Sequence, residues 1–142
     1  EPGKYLVSEC GYLLSTVNVL KQSGNTVFAG IDTGLNHLIR PMMYDAYHRI
    51  ENISNPAGPL HAYTVTGNIC ETDTFGSNRK LHEVREGDVL AIYNAGAYGF
   101  EMSSNYNARY KPAEVLVLGG EAHLIRKRDE FADLLRNQIP VL

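Results

Sequence analysis

The chain has 142 residues, a formal net charge of -3 and a pI near 5.9, with 44% hydrophobic and 20% charged residues. That size and balance suit one globular domain rather than a disordered segment, and the mild acidity argues against nucleic acid as a partner. With no apolar run long enough to span a bilayer and no signal-like start, no membrane partner is expected and the location is read as cytoplasmic.

In chain order, most segments read as strands. "CGYLLSTVNVL" (10–20) is apolar and ambiguous between helix and strand. "NTVFAGIDT" (25–33) is β-branched and bounded by Gly24 and Gly34. "AYHRIENIS" (46–54) alternates, and "LHAYTVTGNI" (60–69) does so more loosely. "NISNPAGP" (52–59) and "FGSNRK" (75–80) have turn composition. "DVLAIYNA" (88–95) and "AEVLVLGG" (113–120) read as strands, with Gly119-Gly120 turning a hairpin into "EAHLIRKR" (121–128). "RDEFADLLRNQI" (128–139) carries Phe131, Leu134 and Leu135 at helical spacing. Short strands between Gly- and Pro-rich turns predict a mostly β fold, a barrel or sandwich with a few short helices.

Three stretches break the strand pattern: "EPGK" (1–4), "GLNHLIRPMMYDAYH" (34–48) and "NAGAYGFEMSSNYNARYKP" (94–112). The second sets Arg40 before a proline and Tyr44 one turn later. The third is rich in small residues, which let a backbone approach a ligand, and it holds Tyr98 between Ala97 and Gly99. It reads equally as a binding loop or as a long surface loop.

The chain has two cysteines, Cys10 and Cys70, and no Cys-x-x-Cys pair, so both are read as reduced thiols. Cys10 lies in an apolar segment and is expected in the core. Five histidines show no metal-ligand spacing, so no metal is expected, and they are read as surface or packing residues. Cys70 sits in "NICETD", directly before Glu71, with Asp73 two residues further on. A thiol there is a metal ligand, a nucleophile, a proton donor or an inert group, and the absence of metal-ligand spacing leaves the first poorly supported.

Four stretches in order, "EPGKYLVSECGYLL", "DTGLNHLIRPMMYDAYH", "ICETD" and "NAGAYGFEMSSNYNARYKPAEVLV", resemble the diaminopimelate decarboxylases. These are pyridoxal-phosphate enzymes of the alanine-racemase-like class, a (β/α)8 barrel followed by a Greek-key-like β-domain. The resemblance implies that residues 1–20 are the end of the barrel and its connection and that 21–142 are the C-terminal β-domain. The chain opens without an initiator Met, so it is read as a C-terminal portion, with the Schiff-base lysine upstream and no activity by itself.

The resemblance also implies roles. Glu1 would face the cofactor's ring nitrogen, and a carboxylate there keeps that nitrogen protonated. Gly3 would let backbone approach the phosphate, and Lys4, where the family usually has Arg, would contact cofactor and substrate. Arg40 and Tyr44 would hold the far end of the substrate, since a planar cation suits a distal carboxylate. Tyr98 would contact both phosphate and substrate. Cys70 would reach across a homodimer and donate a proton after carbon dioxide leaves; a thiol ordinarily ionises near pH ~8.5 and so carries its proton at neutral pH. Glu71 would bind the distal ammonium. The expected reaction, the last step of lysine biosynthesis, takes meso-2,6-diaminoheptanedioate to L-lysine and carbon dioxide. Rival readings are a sister decarboxylase for carboxynorspermidine, arginine, ornithine or a D-amino acid, and a catalytically dead regulatory homologue. Asp73 falls where the family often has Gly and receives no role.

Overall fold

A computed structural model describes residues 2–141. The chain forms two compact units, one ending at Ser103 and the other beginning at Ser104. The first unit opens with a short helix α1 (Pro2–Val7) and a 3-10 turn (Ser8–Cys10). It continues through strands β1 (Leu13–Ser23) and β2 (Thr26–Ile31), helix α2 (Arg40–Tyr44), and strands β3 (Ile50–Asn52), β4 (Leu60–Thr66), β5 (Thr74–His82) and β6 (Val89–Ile92).

The six strands form one sheet in the order β3-β6-β1-β2-β4-β5. Its edge strands β3 and β5 approach each other, so the sheet curls into a nearly closed barrel. The strand β1 makes the curl possible. Its first residues, Leu13 to Thr16, pair with β6, and from Val17 onward it pairs with β2. The register slips between Val17 and Val19, and a bulge of this kind bends a strand and increases its twist. β-branched Thr16, Val17 and Val19 and the hairpin glycine Gly24 (φ 56°) settle the ambiguous segment as a strand. The expected domain division after residue 20 lies within this strand.

The interior is filled by side chains from every strand, among them Val17, Ile31, Ile50, Val65, Phe75, Leu90 and Ile92, with Leu38 and Val84 closing it from the connections. Three expectations shift. The stretch 75–80, composed like a turn, lies inside β5: Asn78 alone takes a left-handed backbone (φ 52°), and buried Phe75 and Leu81 hold the strand on either side. The strand expected over 46–54 is confined to β3, because His48 and Arg49 fold back on Tyr93. Cys10 is exposed rather than core, its thiol donating to the Val7 carbonyl at 2.9 Å. His48, among the histidines read as surface or packing residues, is a packing one, buried at 3% exposure.

The second unit holds a hairpin of β7 (Glu114–Leu118) and β8 (Glu121–Arg126) and a short helix α3 (Phe131–Leu135). Gly119 (φ 61°) and Gly120 (φ 84°) make the expected turn, a pair of positive φ values that two-residue hairpins favour. The helix is shorter than its apolar spacing suggests. Asp129 is occupied in accepting the Lys111 N–H (2.9 Å) and the Asn105 amide (2.8 Å), and these bonds hold its carboxyl below the usual range. Helix therefore begins only after Glu130, whose side chain makes a capping box with Asp133.

One contact fixes where α1 lies. Gly11 and Gly96 meet backbone to backbone: a Cβ on Gly11 would fall 2.4 Å from the Gly96 Cα, and one on Gly96 would fall 1.9 Å from the Val7 carbonyl oxygen. The Gly96 and Ala95 N–H groups donate to the Ser8 and Gly11 carbonyls, at 3.1 and 2.9 Å. Replacing Gly96 with Ala is expected to cost about 1–3 kcal/mol, the range for forced overpacking. A thermal melt checks this, and an unchanged midpoint would show that the contact is not a constraint.

Candidate functional site

The residues singled out from the sequence fall into two groups within the first unit. The larger gathers around Arg40. Helix α2 places Arg40 and Tyr44 four residues apart, on one face. Asp45 ends it in a left-handed conformation (φ 51°). The Arg40 guanidinium lies 5.6 Å from the Tyr44 ring centroid and 5.7 Å from that of Tyr98, within cation–π range of both. Three predicted residues from two distant segments thus converge.

Tyr98 is held in an unusual way. Its φ is 60°, in the left-handed region that a bulky side chain rarely adopts. The turn imposes this, because Ala97 and Gly99 on either side are buried and a Cβ on Gly99 would meet the Ala95 carbonyl at 2.2 Å. The ring is driven outward, 40% exposed, with its face toward Arg40. Backbone conformations of this cost gather at functional sites.

Behind Arg40 stands His48, read from the sequence as a surface or packing residue with no chemistry assigned to it. Its ring meets the Tyr93 carbonyl at 2.8 Å through Nδ1. A carbonyl only accepts, so Nδ1 carries the proton, and Nε2 is a bare lone pair, buried without a hydrogen-bond partner. Burial pushes the His48 pKa below its ordinary value; the Tyr93 carbonyl opposes this, and the positive charges of Arg40, Lys4 and Arg79 lower it further. Arg79 was missed from the sequence. Its guanidinium stacks 4.0 Å from the Tyr47 ring centroid, and its side chain folds over Gly76, where a Cβ would meet Nε at 2.1 Å. The only available signal was Tyr47-His48 at the end of the "YDAYH" stretch, since Arg79 sat in apparent turn composition.

Lys4 joins this group through its field at His48. It also lines an open cleft of about 730 Å³ with Tyr5, Leu6, Ser8, Glu9 and Asn94. Gly3 lies in α1 with open space at its Cα, so nothing obstructs approach to its backbone. Glu1 lies outside the described residues.

The second group is Cys70 and Glu71. They form an exposed tip between buried Ile69 and buried Asp73, and the Cys70 thiol donates to Glu71 Oε2 at 3.3 Å. That bond requires the protonated thiol, so the tip presents a proton donor and a carboxylate side by side.

Three cations and two aromatic rings bearing hydroxyls are a donor set suited to an oxygen-rich anion, whereas the bare Nε2 of His48 only accepts and takes no part in it. The phosphate of pyridoxal phosphate and the carboxylate of an amino acid both fit that donor set. Among the described residues, no group of three or more His, Cys, Asp and Glu is placed to hold a metal ion, and no helix is long and apolar enough to cross a membrane.

Residues 4–96 match the family model described as pyridoxal-dependent decarboxylase, C-terminal sheet domain. Over 140 residues the chain is 51% identical to the diaminopimelate decarboxylase of Methanothermobacter thermautotrophicus, covering 97% of this chain and 32% of that protein. It superposes on the crystal structure of the Methanocaldococcus jannaschii diaminopimelate decarboxylase with a TM-score of 0.92 at 42% identity, covering 96% of this chain and 32% of that one. A crystal structure of the latter in complex with L-lysine gives a TM-score of 0.91 at 41% identity, with 96% and 32% covered. The chain spans about a third of the length of the curated relatives it matches.

Burial of neutral His48 predicts a pH dependence. The unfolded ring takes up a proton as pH falls through about 6.5, while the folded ring resists until lower pH. Its contribution is therefore complete above about pH 6.5 and is lost as pH falls below it. Urea denaturation between about pH 7 and about pH 5 should show a steeper loss for the wild type than for His48→Gln. Parallel curves would contradict the buried neutral ring.

Proposed function

The chain belongs to the pyridoxal-dependent decarboxylases, as their C-terminal sheet domain, and on that premise we propose that it is the β-domain of a diaminopimelate decarboxylase. The reaction is meso-2,6-diaminoheptanedioate to L-lysine and carbon dioxide, the closing step of lysine biosynthesis. The observation that carries this reading is Arg40 set between Tyr44 and Tyr98. A planar cation with two aromatic walls orients a carboxylate remote from the reacting carbon, and diaminopimelate has such a carboxylate where simple diamines have none.

Pyridoxal phosphate, when bound, supplies an electron-poor ring that accepts the electron pair left as carbon dioxide departs. The chain's own residues bind and orient. Lys4, the Gly3 backbone and the Tyr98 hydroxyl would hold the cofactor's phosphate, and the Glu1 carboxylate would keep its ring nitrogen protonated. Buried His48 fixes the arrangement behind Arg40 through its bond to the Tyr93 carbonyl. Arg40 and Tyr44 take the distal carboxylate, and Glu71 takes the distal ammonium. Cys70 delivers the proton that replaces the lost carboxylate, in the form its bond to Glu71 requires. The exposed tip that carries Cys70 and Glu71 suits delivery into a neighbouring subunit's site, so the enzyme works as a homodimer. We place it in the cytoplasm, with the end of the barrel and its connection confined to the residues before β1, since residues 13–20 are strand within the sheet.

The test is carbon dioxide release by the full-length protein loaded with pyridoxal phosphate, offered meso-diaminopimelate, ornithine, arginine, lysine and carboxynorspermidine side by side. Preference for diaminopimelate is expected. Arg40→Ala should lower kcat/KM for it by about 10²- to 10³-fold, the scale for leaving a carboxylate without its charge-assisted partner. Preference for another amine would overturn the substrate, and no release from any of them would overturn the activity.

A further inference from the structure

Resting on that reading, we propose that Asp73 is a positioning residue: its buried carboxylate clamps the Cys70–Glu71 tip to the segment that leads into Arg40 of the same chain, and so fixes the pose in which the tip is presented to the neighbouring subunit's substrate. The carboxylate is 5% exposed and spans two segments. Its Oδ1 accepts the Leu35 N–H at 2.8 Å and its Oδ2 accepts the Ile69 N–H at 2.9 Å. The residue's own carbonyl accepts the Gly67 N–H at 2.7 Å, closing the loop 67–73 on itself. Both oxygens are thus committed to backbone donors that lie 34 residues apart in the chain.

The surroundings are shaped to this carboxylate. A Cβ on Gly67 would fall 2.1 Å from Oδ2, and one on Gly34 would fall 3.0 Å from it. Two glycines, one from each segment, therefore leave room for it. The two segments also share Asn68: its N–H donates to the Thr33 carbonyl and its side-chain amide to the Asp32 carbonyl, each at 3.0 Å. Beyond Leu35 the chain turns through the His37 N–H to Gly34 carbonyl bond (2.9 Å), buries Leu38 completely and enters α2 at Arg40. Beyond Ile69 lie only the three exposed residues of the tip. Charge-assisted bonds to backbone N–H are among the stronger hydrogen bonds, and buried ones hold geometry tightly. Asp73 touches neither substrate nor cofactor in this account and acts through the two segments it joins.

Asp73→Asn keeps the shape but turns one acceptor into a donor facing an N–H. In the full-length holoenzyme it should speed amide hydrogen exchange at Leu35 and Ile69 by about tenfold or more. It should raise KM for diaminopimelate and narrow the preference over lysine and ornithine by about tenfold, with cofactor affinity unchanged within about twofold. Gly67→Ala, which pushes on the same carboxylate without altering charge, should reproduce the pattern. Unchanged exchange at both amides would overturn the clamp. Faster exchange with KM and preference unmoved, or with cofactor affinity falling in parallel, would reduce Asp73 to general stability and overturn its positioning role. Should the wild type leave diaminopimelate untouched, the substrate reading fails alone, and exchange at Leu35 and Ile69 still decides whether the clamp exists.

Discussion

The backbone-to-backbone approach of Gly11 and Gly96 is the constraint on which the larger residue group depends. Side chains at either position would hold the N-terminal helix away from the loop that follows β6. Their absence lets the Ser8 and Gly11 carbonyls take the N–H groups of Gly96 and Ala95, and Lys4 then lines one cleft with Asn94. The same loop then carries Tyr98 in its strained conformation against Arg40. From the other side, His48 ties the α2 segment to Tyr93, one residue before that loop begins. Three stretches far apart in the chain are thereby drawn to one place by backbone hydrogen bonds, and the barrel-like sheet supplies the fixed ends of each.

Electrostatics explains why the group is arranged this way. Arg40, Lys4 and Arg79 bring positive charge to a small region, and like charges so gathered repel one another. The imidazole at their centre stays neutral, because burial and those charges disfavour its proton. Tyrosine faces beside Arg40 and Arg79 soften the cost by cation–π attraction. An anionic ligand removes the remaining repulsion, so binding and charge balance favour the same occupant. The Cys70–Glu71 tip is the opposite in character, exposed and acidic, and suits an ammonium.

Local chemistry made part of this legible from sequence. The Gly119-Gly120 hairpin follows from residues that tolerate positive φ, and the pairing of Arg40 with Tyr44 follows from four-residue spacing on a helix. Long-range partners were not legible. Asn78 and its neighbours have turn composition, yet Phe75 and Leu81 are buried at both ends and the strand runs through. Arg79 was hidden in that stretch. Asp73 gave no sign of its role, because its acceptor geometry depends on Leu35, 38 residues earlier in the chain. Cys10 was misplaced for a related reason: apolar neighbours suggest burial, but the 3-10 turn points its thiol back at Val7.

The central claim is that Arg40 and the Cys70–Glu71 tip serve the same substrate from different subunits. It is tested most directly by mixing two inactive full-length variants, Arg40→Ala and Cys70→Ala, under conditions that exchange subunits. If the tip acts in the partner subunit's site, each mixed dimer has one site carrying both defects and one carrying neither. An equal mixture should then recover about a quarter of wild-type activity, since half the dimers are mixed and each has one sound site. If the tip acts within its own subunit, every site keeps one defect. No recovery on mixing, with subunit exchange verified, would contradict the account.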